Sequence, residues 1–555
     1  MSNHMMLEDL WYKNGVIYCL DVETYMDTNG DGVGDFEGLN RRLDYLAGLG
    51  VTCVWLQPFY PSPYRDNGYD VSDYYGVHPK HGTPGDFVEF INHARALGLR
   101  VIVDLVINHT SDAHPWFQAA RHDSGSRFRD WYVWADERPD DHEKGVVFPG
   151  VQRTTWSFDN TAGMWYFHRF YEHQPDLDTH HPAVREEISK IMGYWLELGI
   201  SGFRMDAVPF LIARKGAGVA PELDFDLLRE MRAFLQWRCR DAILLAEANV
   251  PPDESINYFG DQGDCLQMML NFPVNQRLFY ALATGDLGPL TWALQQTAQK
   301  PYTAQWVHFL RSHDELDLGR LSPEQRHQVF QAFAPDKHMQ LYDRGIRRRL
   351  APMLGNDRRR LELAFSVLLS LPGTPMLQYG DEIGMGDDLT LDERDCARTP
   401  MQWTNERHGG FSTAARTVRP CIDDDTYGYR TVNAADQRRD PGSLLNWMER
   451  RIRMRKECRE IAWGDFTVLR VDAREVLAIR YDFSGASMLT LHNFSGRRQT
   501  LAVDLKGRGA DLLVDVFEDH HSRAENGTHT LTLEPYGYRW YRVGAVDNAL
   551  RRGAW

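Results

Sequence analysis

"GISGFRMDAV", Gly199 to Val208, is apolar enough to be a strand buried on both faces, yet it carries Arg204 and Asp206 two residues apart near its end. A charge in such a place is costly unless it is paired or used. Seven other runs share its form: "GVIYCLDV", "VTCVWLQP", "LRVIVDLVINH", "AILLAEAN", "LQMMLNFPV", "WVHFLRSHDE" and "TPMLQYGDEI". Amphipathic segments such as "GDFVEFINHARALG" and "AVREEISKIMGYWLELG" lie between them. Eight strand–helix alternations predict an α/β chain built on a closed (β/α)8 TIM barrel, with a doubly wound open sheet as the alternative.

Two regions break the alternation. Thr110 to Asp178 is rich in Trp, His, Asp and Arg and too long for a βα connection, which predicts a subdomain inserted after strand three over the barrel mouth. After Ala462 come short alternating runs, "FTVLRV", "VLAIRYDF", "MLTLHNF", "QTLAVDL" and "GYRWYRV", separated by Gly, Asp and Asn turns, as expected of a C-terminal antiparallel β-sandwich domain. The expected division is therefore 1–109 for the first part of the barrel, 110–178 for the insertion, 179–461 for the rest of the barrel and 462–555 for the sandwich.

The 555 residues are 43% hydrophobic and 25% charged, an ordinary globular composition. Asp and Glu outnumber Lys and Arg by 78 to 62, a net charge of −16, so a polyanion has little to grip and no nucleic-acid partner is expected. The basic runs Arg347 to Arg349 and Arg358 to Arg360 lie in a helical-looking stretch and are read as solvated or carboxylate-paired. Seven cysteines without a C-x-x-C pair fit a reducing compartment. "MSNHMMLEDLWYKNG" has no basic start followed by an apolar core, and no run approaches a membrane span, so a cytoplasmic location without a membrane partner is expected.

In a barrel of this kind chemistry sits at the C-terminal ends of the strands. Strand three ends in Asp104, Asn108 and His109, strand four in Arg204 and Asp206, strand five in Glu247, and strand seven in His313 and Asp314. A single carboxylate at a strand end is more often a helix cap or an ion-pair partner. Three converging on one mouth instead fit retaining glycoside cleavage, in which an ionised carboxylate attacks and a protonated one serves as acid and then base, roughly 5–5.5 Å apart. Arg204 would favour the ionised form of Asp206, and the apolar "LLAEAN" setting would raise the pKa of Glu247.

The segments "DLVINH", "GFRMDAV", "LLAEAN" and "FLRSHDE", in that order, resemble the four defining motifs of the α-amylase clan of glycoside hydrolases and transglycosylases, over nearly the whole chain. The resemblance implies Asp206 as nucleophile, Glu247 as general acid and base, and Asp314 as the carboxylate that grips the hydroxyls of the distorted sugar. Arg204, His109 and His313 would hold the glucose in the first subsite. "RDNGYDVSDY" resembles the segment that closes the pocket in oligosaccharide-trimming members, through Asp66 and Tyr69; Arg398 of "RTPMQW" would pair with Asp66, and Gln174 of "QPDLD" belongs to the same branch. The pocket would then take one terminal glucosyl unit.

Within the clan, "APDKHMQLYDRGIRRRLAPMLGNDRRR", "YGDEIGMGDDL", "RTPMQW" and "LLAEANVPPDESINYFG" resemble the members that interconvert maltose and trehalose. Those members usually carry Asn where this chain has Ser312, and an acidic residue where it has Ala213. Release of glucose from small α-glucosides is therefore the alternative activity, and a non-catalytic sugar-binding protein is the alternative of another class. A homo-oligomer is plausible on family grounds.

"DTNGDGVGD" sets Asp27, Asn29, Asp31 and Asp35 at odd spacings with the Val33 carbonyl between, like the start of a calcium loop, although Gly38 stands where an EF-hand has its bidentate Glu. An Asx-rich turn is the alternative, and the resemblance favours a structural calcium. It also implies a second calcium at Asn108 and Asp176 with carbonyls near Phe210 and Leu211, a site weakened or lost where Ala213 replaces the acidic ligand. No zinc-spaced cluster, phosphate loop or organic cofactor signal is present.

Overall fold

The computed structural model describes residues 10–544 except 221, 506 and 508. Eight parallel strands close into a barrel in sequential order: β1 (Ile17–Leu20), β2 (Cys53–Leu56), β3 (Arg100–Leu105), β4 (Gly202–Met205), β5 (Ile243–Ala246), β6 (Met268–Leu270), β7 (Gln305–Phe309) and β8 (Thr374–Gln378). Each falls inside one of the eight apolar runs, except that β7 starts one residue earlier, at Gln305. Their residues are buried on both faces because alternate side chains belong to different cores. Ile17, Cys19, Cys53, Trp55, Ile102, Ile243 and Leu245 fill the interior, whereas Tyr18, Leu20, Val54, Leu56, Val101, Val103 and Leu244 face the surrounding helices. With both faces covered, period two disappears from the sequence and only the apolar run remains.

The two segments read as amphipathic form helices Pro84–Ala96 and Pro182–Glu197. The first opens on a capping box between Thr83 and Asp86 with Pro84 at its first position. The insertion holds a three-stranded sheet, Trp134–Ala135, Met164–Phe167 and Trp156–Asp159. Its tryptophans pack mainly within it: Trp116 meets Trp131 edge-on at 4.9 Å, and Trp134 stacks on Phe117.

The C-terminal domain has one six-stranded and one two-stranded antiparallel sheet. Leu501, Val503, Leu531 and Leu533 of the small sheet share a core with Leu489, Leu491, Tyr541 and Val543 of the large one, so the two pack as a sandwich. Three strands escaped the sequence reading: Leu512–Asp515, Ser522–Arg523 and Thr528–Leu533. The domain docks on the barrel helix Arg358–Ser370, where Ser366 meets Trp540 Nε1 and His492 Nε2, each at 3.0 Å. Of the two basic runs, Arg358–Arg360 opens this helix, but Arg347–Arg349 precedes a helix that starts at Leu350. Arg349 is buried there, facing Asp381 at 3.5 Å.

Candidate active site

Strand register sets the two central carboxylates side by side. On β4 and β5, Met205 pairs with Ala246, and Asp206 and Glu247 each follow by one residue. Neighbouring strands lie ~4.8 Å apart, so the side chains emerge together at the mouth. Arg204, 1% exposed, holds both: Nη1 reaches Asp206 Oδ1 at 2.7 Å, and Nη2 donates to Glu247 Oε2. Its Nη1 also meets Asp104 on β3, which accepts from Trp55 Nε1 at 2.8 Å. Directly after the nucleophile candidate, Ala207 adopts a left-handed backbone (φ 47°) and starts the short helix Val208–Leu211. A non-glycine residue in that region is a strain that only well-packed surroundings sustain.

One guanidinium against three buried carboxylates leaves an excess of negative charge. Burial, opposed by Arg204 and reinforced by Asp206 and Asp314, pushes the Glu247 carboxyl up to about 8. The Asp206 carboxyl rises only to about 6, from burial opposed by Arg204 and reinforced by Asp104 and Asp314. Arg204 therefore limits the rise at Asp206 and does not produce the net lowering that its position in sequence implied. The order is the one retaining cleavage needs: near neutral pH Asp206 is ionised and Glu247 keeps its proton. Because the pair titrates together, kcat/KM is expected to climb as pH rises through about 6, where Asp206 loses its proton, and to fall as pH passes about 8, where Glu247 loses its own. A pH–rate series on maltose checks this, and a flat profile from pH 5 to 9 would contradict it.

Asp314 behaves differently. Burial opposes its charge, but Arg394, His313, Arg398 and Arg204 outweigh burial and hold the carboxyl well below the usual range. Arg394 Nη1 lies 2.9 Å from it, His313 Nε2 3.1 Å and Arg398 Nη2 3.3 Å. A carboxylate fixed in its ionised form suits an acceptor of sugar hydroxyls.

The residues expected to hold the first glucose lie around these groups. Tyr69 stacks on His313 and shares a 2.7 Å hydrogen bond with its Nε2. His109 contacts the Tyr69 carbonyl through Nε2 at 3.1 Å. Asp66 accepts from Gln174 Nε2 at 2.7 Å. Arg398 does not form the expected pair with Asp66; it turns to Asp314 and donates from Nε to the His313 carbonyl at 2.8 Å. The cation lining the pocket beside Asp66 is Arg394, which also holds Glu315 at 2.8 Å. The sequence reading missed Arg394 because it lies in a polar loop far beyond the end of β8.

Asp66, Tyr69, His109, Arg204, Asp206, Glu247, His313, Asp314 and Arg394 line a cavity of about 360 Å3, near the lower limit for small-molecule sites and suited to a short sugar, with Asp104, Gln174 and Arg398 behind them. Phe148 and Phe170 of the insertion, with Tyr342 and Phe210, form an apolar cluster at its edge. Arg394 lies over the Phe148 ring at 5.2 Å. Tyr171 and Tyr342 both donate to Glu393 Oε2, at 2.9 and 3.0 Å, joining the insertion to two loops of the barrel. The insertion thus covers the mouth with phenylalanines, not with the tryptophans and histidines that mark its sequence.

The two expected metal positions differ. In the Asp27 loop, Asp27 accepts from the Gly30 and Gly32 N–H groups, Asn29 from that of Asp31, and Asp31 from that of Val33. These oxygens retain lone pairs and are of the hard type calcium prefers. Asp35 leaves the set: it binds Thr28 and caps the helix Phe36–Arg41 through the Gly38 N–H. At the second position the donors already hold a cation. The Lys215 ammonium occupies the space between the donors, 2.8 Å from Asn108 Oδ1 and 2.9 Å from Asp176 Oδ2. Two like charges on one ligand set exclude each other, so these residues do not fit a divalent ion. Among the described residues no cluster of three or more His, Cys, Asp or Glu side chains is arranged to hold a metal.

Comparison with known proteins agrees with this geometry. A protein-family model of the α-amylase catalytic domain matches residues 20–464, and one for the C-terminal domain of sucrose hydrolase-like proteins matches 485–542. The trehalulose synthase MutB of Pseudomonas mesoacidophila superimposes with a TM-score of 0.76 at 25% identity, covering 96% of this chain and 99% of that one. The α-amylase of H. orenii gives 0.76 at 26% identity, covering 96% and 99%. The chain belongs to the α-amylase family.

Within that family it groups with the trehalose synthases. It is 41% identical over 561 residues to the trehalose synthase/amylase TreS of Mycolicibacterium smegmatis, covering 97% of this chain and 93% of that protein. It is 40% identical over 561 residues to the trehalose synthase of a Pimelobacter species, covering 98% of each. Identity to the trehalose synthase of Thermus thermophilus is 42% over 98% of this chain, which spans about half, 56%, of that longer protein.

Proposed function

We propose that the protein is a retaining intramolecular transglucosidase that interconverts maltose and trehalose, with some release of glucose. The observation that carries the reading is the paired Asp206 and Glu247, bridged by Arg204 in a small covered pocket, in a chain similar over almost its full length to trehalose synthases. Glu247 gives its proton to the bridging oxygen as the bond from that oxygen to the anomeric carbon breaks, and Asp206 Oδ forms the new bond to that carbon. The freed glucose turns within the pocket. Its anomeric hydroxyl loses a proton to Glu247 and attacks the anomeric carbon, the Asp206 ester breaks, and two inversions leave the configuration retained. Exclusion of water by the aromatic cluster at the mouth gives the sugar time to turn.

A proton NMR time course with maltose, and another with trehalose, tests this reading. Conversion of each sugar into the other with little free glucose is expected. Glucose as the main product, without trehalose from maltose, would replace the reading with an exo-acting α-glucosidase.

The Asp27 loop, with Asn29, Asp31 and the Val33 carbonyl, is read as a structural calcium site remote from the chemistry. Chelation is then expected to lower Tm, by the equivalent of about 2.7 kcal/mol if free calcium otherwise stands at 100 times Kd. An unchanged Tm, with no calcium by elemental analysis, would leave a self-satisfied turn. All seven cysteines are free in the structure, which supports a reducing, cytoplasmic location. No helix among the described residues is long and apolar enough to cross a membrane.

A further inference from the structure

We propose that Lys215 is a built-in cation that fixes the loop after the nucleophile to both ends of the insertion, so that this part of the active site needs no divalent metal. The Lys215 side chain is 3% exposed and Asp176 fully buried. Its Nζ faces four oxygens: Asn108 Oδ1 at 2.8 Å, Asp176 Oδ2 at 2.9 Å, the Leu177 carbonyl at 3.0 Å and the Asn108 carbonyl at 3.1 Å. An ammonium has three protons, so one is shared and all are used. A buried cation is tolerated only when paired and hydrogen-bonded in this way. Asp176 is further held by Asn108 Nδ2 at 3.0 Å and by the Arg169 N–H at 2.8 Å.

The position explains the consequence. Asn108 precedes the insertion and is followed by His109, which lines the pocket; Asp176 and Leu177 close the insertion. Lys215 ends the segment that begins at Asp206 and contributes Pro209 and Phe210 to the pocket wall. The amine therefore joins three chain segments, one bearing the nucleophile and another a first-subsite histidine. Lys215 touches no substrate and is a positioning residue. It acts on where His109 and Phe210 stand, and so on how tightly water is kept from the turning sugar.

The test compares wild type, Lys215→Ala and Lys215→Met, freed of metal and then given millimolar calcium. Wild type should keep the same kcat/KM and the same glucose-to-trehalose product ratio with and without added calcium. Lys215→Ala should lose about 10- to 100-fold in kcat/KM, as small misplacements do, and release a larger share of glucose. Calcium should restore part of both, because the vacated space is lined by four oxygens. Lys215→Met fills that space and should not be rescued. Terbium luminescence gives a readout independent of activity: Lys215→Ala should bind one more ion per chain than wild type. If Lys215→Ala folds only in the presence of calcium, that too supports the proposal. Wild-type activity and product ratio in metal-free Lys215→Ala would overturn it, as would a failure of that variant to gain an ion.

Discussion

Replacing Asp206 with Asn is expected to lower kcat on maltose and on trehalose by on the order of 10^4-fold or more while leaving the fold intact. The side chain is nearly isosteric and its oxygen can still accept from Arg204, whose charge stays paired with Asp104 and whose Nη2 still donates to Glu247. What disappears is the charge that attacks the anomeric carbon. The same change removes one of the charges that raise Glu247, so the Glu247 pKa should fall in the variant. Steady-state rates with circular dichroism as a folding control check this outcome. Residual activity within about 100-fold of wild type would mean that another carboxylate attacks.

Glu247→Gln is expected to separate the two half-reactions. Loss of the general acid should cost ~10^2–10^4-fold on maltose, whose leaving sugar must be protonated. An aryl glucoside with an acidic leaving group needs no such help and should still glucosylate Asp206 at a rate much nearer that of wild type. The second step then lacks its base, so the glucosyl ester should accumulate and appear in the intact mass as one added hexosyl group on the Asp206 peptide. Equal losses on both substrates, with no adduct, would remove Glu247 from the acid role.

The barrel was legible because each of its strands is a short apolar run closed by a charge or a turn residue. The carboxylates were legible because Asp206 and Glu247 stand one residue beyond the strands, where solvent and substrate begin. The same logic failed for Arg394, in the loop "LDERDCAR", which only tertiary folding returns to Asp314. It also failed for the partner of Arg398, since a local motif names a residue without saying which of two nearby carboxylates it meets. Lys215 in "ARKGAG" resembles any solvated lysine, and its burial depends on Asn108 and Asp176, distant in sequence. In the sandwich, Thr528–Leu533 does alternate, with His529, Leu531 and Leu533 inward, but threonine on the outer face made it look like a loop.

Ser312 and Ala213, the two departures from the usual pattern of the branch, now have places. Ser312 lines the cavity and its Oγ accepts from the Asp314 N–H at 3.3 Å, so a short hydroxyl orients the loop that carries that carboxylate. Ala213 is buried two residues before Lys215.

The central claim is that the glucose incorporated into the product is joined again without first leaving the pocket. Turnover of unlabelled maltose in the presence of excess 13C-glucose, with the trehalose isolated and its mass measured, tests that claim most directly. Trehalose free of label is expected, apart from the small share matching hydrolysis and re-entry. Trehalose carrying label in proportion to the glucose pool would contradict it, because the acceptor would then come from solution and the covered pocket would not be retaining the sugar.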